Sequence, residues 1–380
     1  MAEGVFLIAF LLVLYTYVGY PAIMGILARV TRRDVRKAPI RPTVTVLIVA
    51  HNEACNISQR IENCLDLEYP PDRLEIVVAS DGSSDGTLEL ARAYESKGVK
   101  IIGFPLRRGK PAVINDVILQ LRSDLVVLSD ARQTYAGDAL CALVSNFADS
   151  RVGAVSGELI LRDESNPVGA AVGFYWRYEK FIRRSESRWG STVGATGAIY
   201  AIRRELFESL PPDTLLDDVL IPLHIARRGY RVVFEPAAQA FDRVAAGPRE
   251  EFTRKVRTIT GNFQMFAREW WLLNPFANRL WFQTVSHKGL RLVAPALLLG
   301  ILGANVFLLD VPPYRVALAG QGLFYLAALG GCWSQHRRGR GRWWLNLPYL
   351  FCLLNVTTVV SFYRWAAQKQ GVTWTRASGQ

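Results

Sequence analysis

Residues 4–28 form an uncharged stretch, GVFLIAFLLVLYTYVGYPAIMGILA, that runs into Arg29 and is followed by Arg32, Arg33, Arg36 and Lys37. A helix of about 25 such residues crosses roughly 30 Å of hydrocarbon. A secretory signal opens with basic residues and closes on a small-residue cleavage site. This stretch opens MAEG and closes on arginines. It reads as an uncleaved anchor with its N-terminus outside and its basic flank in the cytoplasm.

Hydrophobic runs return only after Arg291, at 292–311, 316–333 and 345–363. The turn Asp310-Val311-Pro312-Pro313 separates the first two, and HRRGRGRWW (336–344) the last two. One helix exits, the next returns, and the Arg-rich loop falls in the cytoplasm. The last run carries Arg364, Lys369 and Arg376 beyond it, so it is either re-entrant or lies in the interface. A mean hydropathy of +0.13 fits this distribution better than an ordinary soluble enzyme.

Hydrophobic residues make up 50% of the 380, which excludes a disordered chain. The five cysteines include no CxxC pair and no zinc spacing, so free thiols are expected. The net charge of +12 collects beside the apolar runs, at 29–37, 336–342 and 364–376. Anionic lipid headgroups account for it, and no nucleic-acid partner is expected. An RNA-binding sheet would interleave aromatic and basic residues, whereas the strands here are apolar. A transporter is disfavoured because the spans hold no ionisable residue away from their ends.

Between the anchors, short β-branched runs (43–50, 75–80, 99–104, 124–130, 152–161) alternate with amphipathic segments at 56–67, 85–97, 110–122 and 138–147. That alternation predicts an α/β fold with a mainly parallel sheet covered on both faces. Ligands of such sheets sit outside the carboxyl ends of the strands. Those ends carry His51-Asn52-Glu53, Ser80-Asp81-Gly82-Ser83-Ser84-Asp85-Gly86-Thr87 and Ser129-Asp130-Ala131-Arg132-Gln133. Ser84 and Asp85 are expected to cap the helix over 85–97.

VLIVAHNEACNISQRIENCLDLEYPPDRLEIVVASDGSSDGT closely resembles the opening of the inverting family 2 glycosyltransferases. The likeness continues through RRGKPAVIND (107–116), LVVLSDARQTY (125–135), the Gly-rich GSTVGATGAIY (190–200), LLDDVLIPLHIARRGYRVVFEP (215–236) and EEFTRKVRTITGNFQ (250–264). The flanking apolar segments are similar to those of the membrane-bound members, such as bacterial poly-N-acetylglucosamine, cellulose and hyaluronan synthases. The resemblance implies a Rossmann-like GT-A catalytic domain over 37–265. Around it lie an N-terminal anchor over 1–36, interfacial amphipathic helices over 266–291 and a C-terminal membrane domain over 292–380. A further amphipathic segment, WRYEKFIRRSESRW (176–189), is expected to rest on the membrane surface.

The resemblance also assigns roles. Asn52, Glu53, Asp81, Lys110, Asp130 and Arg257 would bind the nucleotide. Asp130, as the first carboxylate of the family's DxD, would hold Mg²⁺ or Mn²⁺. Arg132 stands where members carry a second carboxylate or Asn; it cannot ligate a metal but can meet phosphate bidentately. Asp218 would be the general base. Gly194, Thr196, Gly197 and Asp217 would face the acceptor. Arg254 and Thr258 stand where the processive synthases carry the Gln and Trp of QxxRW. That departure favours single transfer from a nucleotide-diphosphate sugar, UDP-linked by expectation, to a lipid-linked or glycan acceptor at the cytoplasmic face of the plasma membrane. A processive exopolysaccharide synthase and a catalytically silent nucleotide-sugar-binding subunit are the alternatives.

Overall fold

The fold is known from a computed structural model that describes residues 1–162, 167–243, 248–338 and 343–371. Among the described residues, eight strands form one sheet: β1 (Val44–Ala50), β2 (Leu74–Asp81), β3 (Lys100–Phe104), β4 (Leu125–Asp130), β5 (Thr134–Tyr135), β6 (Val152–Arg162), β7 (Tyr200–Arg203) and β8 (Arg231–Arg243). All seven residues of β1 are buried. Val44, Val46, Ile48 and Ala50 pack with Ile57 and Ile61 of the helix Ala54–Leu65. Leu47 and Val49 pack on the opposite face with Val113, Ile114 and Val117 of the helix Lys110–Ile118. A strand covered on both faces has no use for polar residues, hence the continuous apolar run.

The order across the sheet is β3-β2-β1-β4-β7-β6-β8-β5. β1 pairs in parallel with β2 and β4, with Ala50 opposite Ser80 and Val49 opposite Asp130. The carboxyl ends of three strands therefore meet on one edge, and the polar residues after them share it. β7 runs antiparallel to both β4 and β6, so the sheet is mixed beyond β4. The expected helix over 85–97 is broken: Thr87–Arg92 is helical and Glu95–Lys97 is a separate 3₁₀ turn. Asp85 still accepts the Thr87 N–H at 3.2 Å, but it also accepts the Ala54 N–H at 3.2 Å and so staples two helix starts together.

Among the described residues, four helices are long and apolar enough to cross a membrane: Ala2–Val30, Trp281–Val306, Pro312–Ser334 and Trp344–Ala366. The second begins at Trp281, eleven residues before the expected 292. Part of the segment expected to form interfacial helices, 281–291, is thus continuous with a span. The helix Pro248–Arg268 takes up the start of that segment. The last apolar helix leans on this helix: Phe263 stacks on Trp365 with centroids 5.8 Å apart, and Ser361 Oγ donates to the Val256 carbonyl at 3.2 Å.

The helix Pro167–Trp189 departs furthest from expectation. Its inward face is polar and buried, with Glu186 fully enclosed. That face meets the anchor helix through Tyr20, Met24 and Ile182. Tyr20 Oη donates to Glu186 at 2.5 Å, His287 bridges Glu186 and Glu179 at 2.8 and 3.0 Å, and Arg291 donates to Glu179. Burying two carboxylates is costly unless they are paired, and each finds its partners on the apolar helices. Glu179 and Glu186 thus tie the helix Pro167–Trp189 to the apolar helices. Among the described residues no two cysteines form a disulfide.

Candidate active site

The site grows from the shared strand edge. Asn52 follows β1 with φ of 55°, a left-handed conformation that its short amide side chain tolerates. Its Oδ1 accepts the Ser84 N–H at 2.8 Å, and its own N–H donates to Ser83 Oγ at 3.2 Å. Glu53 precedes the helix Ala54–Leu65, and its N–H donates to Thr87 Oγ1 at 2.8 Å. Asn52 and Glu53 thus tie the β1 end to the Ser-Asp-Gly turn after β2.

Asp81, at the end of β2, is wholly enclosed. One oxygen accepts the Arg108 N–H at 2.7 Å and the other the Gly109 N–H at 2.8 Å. The next residue, Gly82, has φ of +60°, and a Cβ there would lie 2.5 Å from the Arg107 nitrogen. Glycine is needed for both reasons. Asp81 therefore shapes the loop that delivers Lys110.

Lys110 is 7% exposed. Its ammonium donates to Asp130 at 2.7 Å and lies 3.4 Å from Asp217. Burial pulls the Lys110 ammonium down, yet Asp130 and Asp217 outweigh it and hold the group above its ordinary value. Burial likewise raises Asp130, but Lys110, Arg132 and Arg257 bring it below the usual carboxylate range. The side chain of Asp130 is 41% exposed, with Oδ1 engaged by Lys110. Behind it, Arg60 lies 3.8 Å over the Tyr135 ring and donates to Ser129 Oγ at 3.0 Å, fixing the strand end.

Arg132 does not offer its fork to phosphate. Its Nε and Nη2 grip both oxygens of buried Asp242 at 2.9–3.1 Å, and Gln133 adds a bond at 3.0 Å. A buried carboxylate without a cation is the greater cost, so the guanidinium goes to Asp242. Sequence reasoning missed Asp242. The signal was there: an Arg in place of a carboxylate calls for an acid elsewhere, and FDR (241–243) ends the last long strand.

Asp217 and Asp218 open the helix Asp217–Arg227. Neither side chain caps that helix. Asp217 turns to Lys110 and, at 3.5 Å, to the Tyr200 hydroxyl. Asp218 Oδ2 accepts the Gly197 N–H at 2.9 Å, and the Asp218 carbonyl accepts the Ala195 N–H at 2.8 Å. Thr196 donates its N–H to Ser156 Oγ at 3.1 Å, while Gly194 sits at φ +83° against Val219. The Gly-rich loop is thereby wrapped around Asp218. Burial first, then the neighbouring Asp217, pushes the Asp218 carboxyl up to about 6.

Asp130, Lys110, Asp217, Asp218, Gly197 and Arg257 thus converge within electrostatic reach of one another. Asn52, Glu53 and Asp81 stand behind them as loop anchors. No group of three His, Cys, Asp or Glu side chains among the described residues is placed to hold a metal by itself. Asp130 with its outer oxygen can contribute one ligand, which suits Mg²⁺ or Mn²⁺ completed by diphosphate oxygens and water.

Residues 45–210 match the family described as glycosyl transferase family 2. The chain is 27% identical over 232 residues, 60% of its length, to poly-beta-1,6-N-acetyl-D-glucosamine synthase of Staphylococcus aureus. It is 28% identical over 236 residues to a probable glycosyltransferase, YdaM, of Bacillus subtilis. The match spans 56% and 55% of the length of these curated relatives. Among solved structures, the mannosyltransferase PcManGT of Pyrobaculum calidifontis, in complex with GDP-Man and Mn²⁺, superposes with a TM-score of 0.73 at 23% identity. That superposition covers 97% of this chain and 100% of the other, apolar helices included. The shared architecture is the GT-A fold carried on membrane-type helices. Asp217 and Asp218 lie just past the matched family stretch, so their part in the site rests on geometry.

Proposed function

From a chain that carries a family 2 glycosyltransferase domain, we propose an inverting transfer of one sugar from a UDP-linked donor to a lipid-linked or glycan acceptor at the cytoplasmic face of the plasma membrane. The observation that carries this reading is the Asp218 carboxyl, lifted to about 6 and held in the acceptor loop by the Gly197 amide. A base near the operating pH is ionised enough to accept a proton and basic enough to pull it.

Asp218 takes the proton of the acceptor hydroxyl as that oxygen attacks the anomeric carbon. Attack from the face opposite the departing diphosphate inverts the centre. Lys110 and Arg257 carry positive charge toward the leaving group, where preorganised cations act most strongly in the transition state. Asp217 and Asp130 hold Lys110 in place. Asn52, Glu53 and Asp81 shape the loops that receive the nucleoside. A divalent cation held by Asp130 and the donor phosphates would neutralise charge on the departing diphosphate.

The names of the staphylococcal relatives favour a second reading, extension of a β-linked polymer. Against it, Thr258 and Arg254 replace the aromatic and amide residues that the synthases carry in their terminal-sugar motif. Incubating detergent-solubilised protein with a panel of UDP-sugars, with Mg²⁺ or Mn²⁺, tests the transfer itself. Short products support single addition, and a ladder of long chains from one initiation refutes it. Failure to turn over any donor with any acceptor leaves the silent-subunit alternative.

A further inference from the structure

The helix Pro248–Arg268 carries two stripes with different partners. Val256, Thr260 and Phe263 face the last apolar helix: Ser361 Oγ donates to the Val256 carbonyl, Thr260 Oγ1 donates to the Ser361 carbonyl, and Phe263 stacks on Trp365. Arg257, Gly261, Gln264 and Arg268 follow one another at spacings of four, three and four residues, and so share a second face. Gly261, Gln264 and Arg268 meet the segment 213–216, which leads directly into Asp217 and Asp218.

At Gly261 a Cβ would fall 2.5 Å from Leu216 Cγ and 3.1 Å from Leu215 Cβ, so helix and loop pack as closely as a bare backbone allows. Gln264 Oε1 accepts the Leu215 N–H at 3.0 Å, and Gln264 Nε2 donates to the Asp213 carbonyl at 2.8 Å. One amide thus holds a donor and an acceptor of the loop backbone at once. Arg268 donates to both oxygens of Asp213, but that pair is exposed and contributes little. The loop needs a hold from outside. Leu216, the residue before the helix Asp217–Arg227, has no side-chain oxygen to cap it. Asp217 and Asp218 are engaged elsewhere, by Lys110 and the Gly197 amide.

We propose that Gln264 is a positioning residue for the base, fixing the loop that sets Asp218 at the start of its helix to the helix that carries Arg257. This deepens the transfer reading above and rests on it. Asp218 is then held from two sides, by the Gly197 amide at its carboxylate and by Gln264 at the backbone leading into it. An acceptor hydroxyl must meet the base and the anomeric carbon in one alignment, and a misplacement of about 1 Å costs about a hundredfold in rate. A hold on the backbone therefore governs turnover and leaves donor affinity alone.

The test compares the full chain in detergent with Gln264→Met, which keeps the length and removes both hydrogen bonds, and Gln264→Glu, which keeps an acceptor for Leu215. Hydrogen–deuterium exchange over 213–218 reads the hold without turnover, and melting curves report folding. In Gln264→Met the Leu215 amide should exchange about tenfold faster. With whichever UDP-sugar the parent turns over, kcat should fall about 10- to 100-fold while donor KM and UDP affinity stay unchanged. Gln264→Glu should fall between the two. Unchanged exchange in Gln264→Met overturns the hold. Faster exchange with parental kcat per folded molecule overturns the positioning role and leaves a structural contact. A rise in donor KM equal to the loss in kcat/KM, with kcat kept, also overturns it. No turnover of any UDP-sugar by the parent, with exchange still faster in the variant, defeats the transfer reading and leaves Gln264 as the hold on the loop.

Discussion

The Gly197 backbone N–H donates to Asp218 Oδ2 at 2.9 Å, so the proposed base is tied directly to the Gly-rich loop. Asp218→Asn keeps the shape and loses the basicity. Transfer should fall about 10²- to 10⁴-fold while UDP affinity stays near that of the parent. Gly197→Ala tests the coupling from the other side. Its Cβ would stand 3.3 Å from Asp218 Oδ2 and press the carboxylate out of line. The expected result is a drop in kcat of about tenfold with an unchanged melting temperature. An Asp218→Asn protein with near-parental turnover would remove the base assignment.

The elevated Asp218 group sets the acid limb of activity. Below about pH 6 the carboxyl is protonated, and kcat/KM should fall about tenfold per pH unit. Stability runs the other way. The folded chain binds this proton more tightly than the unfolded chain, so this group's contribution falls as pH rises from 3.8 to about 6 and stays lowered above it. Asp218→Asn should therefore melt higher than the parent at pH 8, with the gap closing near about pH 4. Melting curves at the two pH values decide it.

Lys110 is the positive centre among Asp130, Asp217 and Asp218. Lys110→Met leaves buried carboxylates facing one another, a loss of about 3–5 kcal/mol of stability. The same change removes the positive charge that lowers Asp218. The acid limb of any residual activity should shift toward higher pH. An unmoved limb would mean that Lys110 and Asp218 are electrostatically independent.

Much of this arrangement could be read from the chain, and the reasons for the rest are physical. β1, β2 and β4 were legible because strands buried on both faces must be apolar throughout, and their in-register parallel pairing puts Asp81 and Asp130 on one edge. β7 was not legible: four residues, YAIR, carry too little pattern to show an antiparallel turn-back. Asp81 was readable as a strand-end acid, but its use for the Arg108 and Gly109 amides depends on a loop 27 and 28 residues away. The helix over 176–189 misled for a related reason. A stripe of Glu and Arg looks the same in sequence whether it faces water or faces Tyr20, His287 and Arg291.

Arg132 and Asp242 give a prediction on the metal. Arg132→Ala strands the buried Asp242 with Gln133 and a backbone amide as its remaining partners, and should cost about 3–5 kcal/mol. UDP affinity should change far less than stability, because the guanidinium is engaged by Asp242. Arg132→Asp would restore the family's spacing of carboxylates, yet it sets two acids against each other at Asp242. Its product should unfold readily rather than bind Mn²⁺ more tightly. Calorimetric titration of Mn²⁺ with UDP, run beside melting curves, separates the two outcomes.

The last prediction concerns the contact between the apolar helices and the helix Pro167–Trp189. Glu186 accepts from Tyr20 and pairs with His287 on one side, and on the other it accepts the Thr192 hydroxyl at 3.1 Å and the Val193 N–H at 3.3 Å. Thr192 and Val193 begin the loop whose Gly197 N–H donates to Asp218, so the N-terminal apolar helix is linked to the proposed base through one carboxylate. Tyr20→Phe removes one donor to a buried acid and should cost about 1–3 kcal/mol. If the linkage positions the loop, kcat should fall with KM for the donor unchanged. Moreover, if the bilayer holds the N-terminal apolar helix, the variant should lose more activity in detergent than in nanodiscs. Equal losses in both, tracking melting temperature alone, would make Glu186 a structural clasp with no bearing on the base.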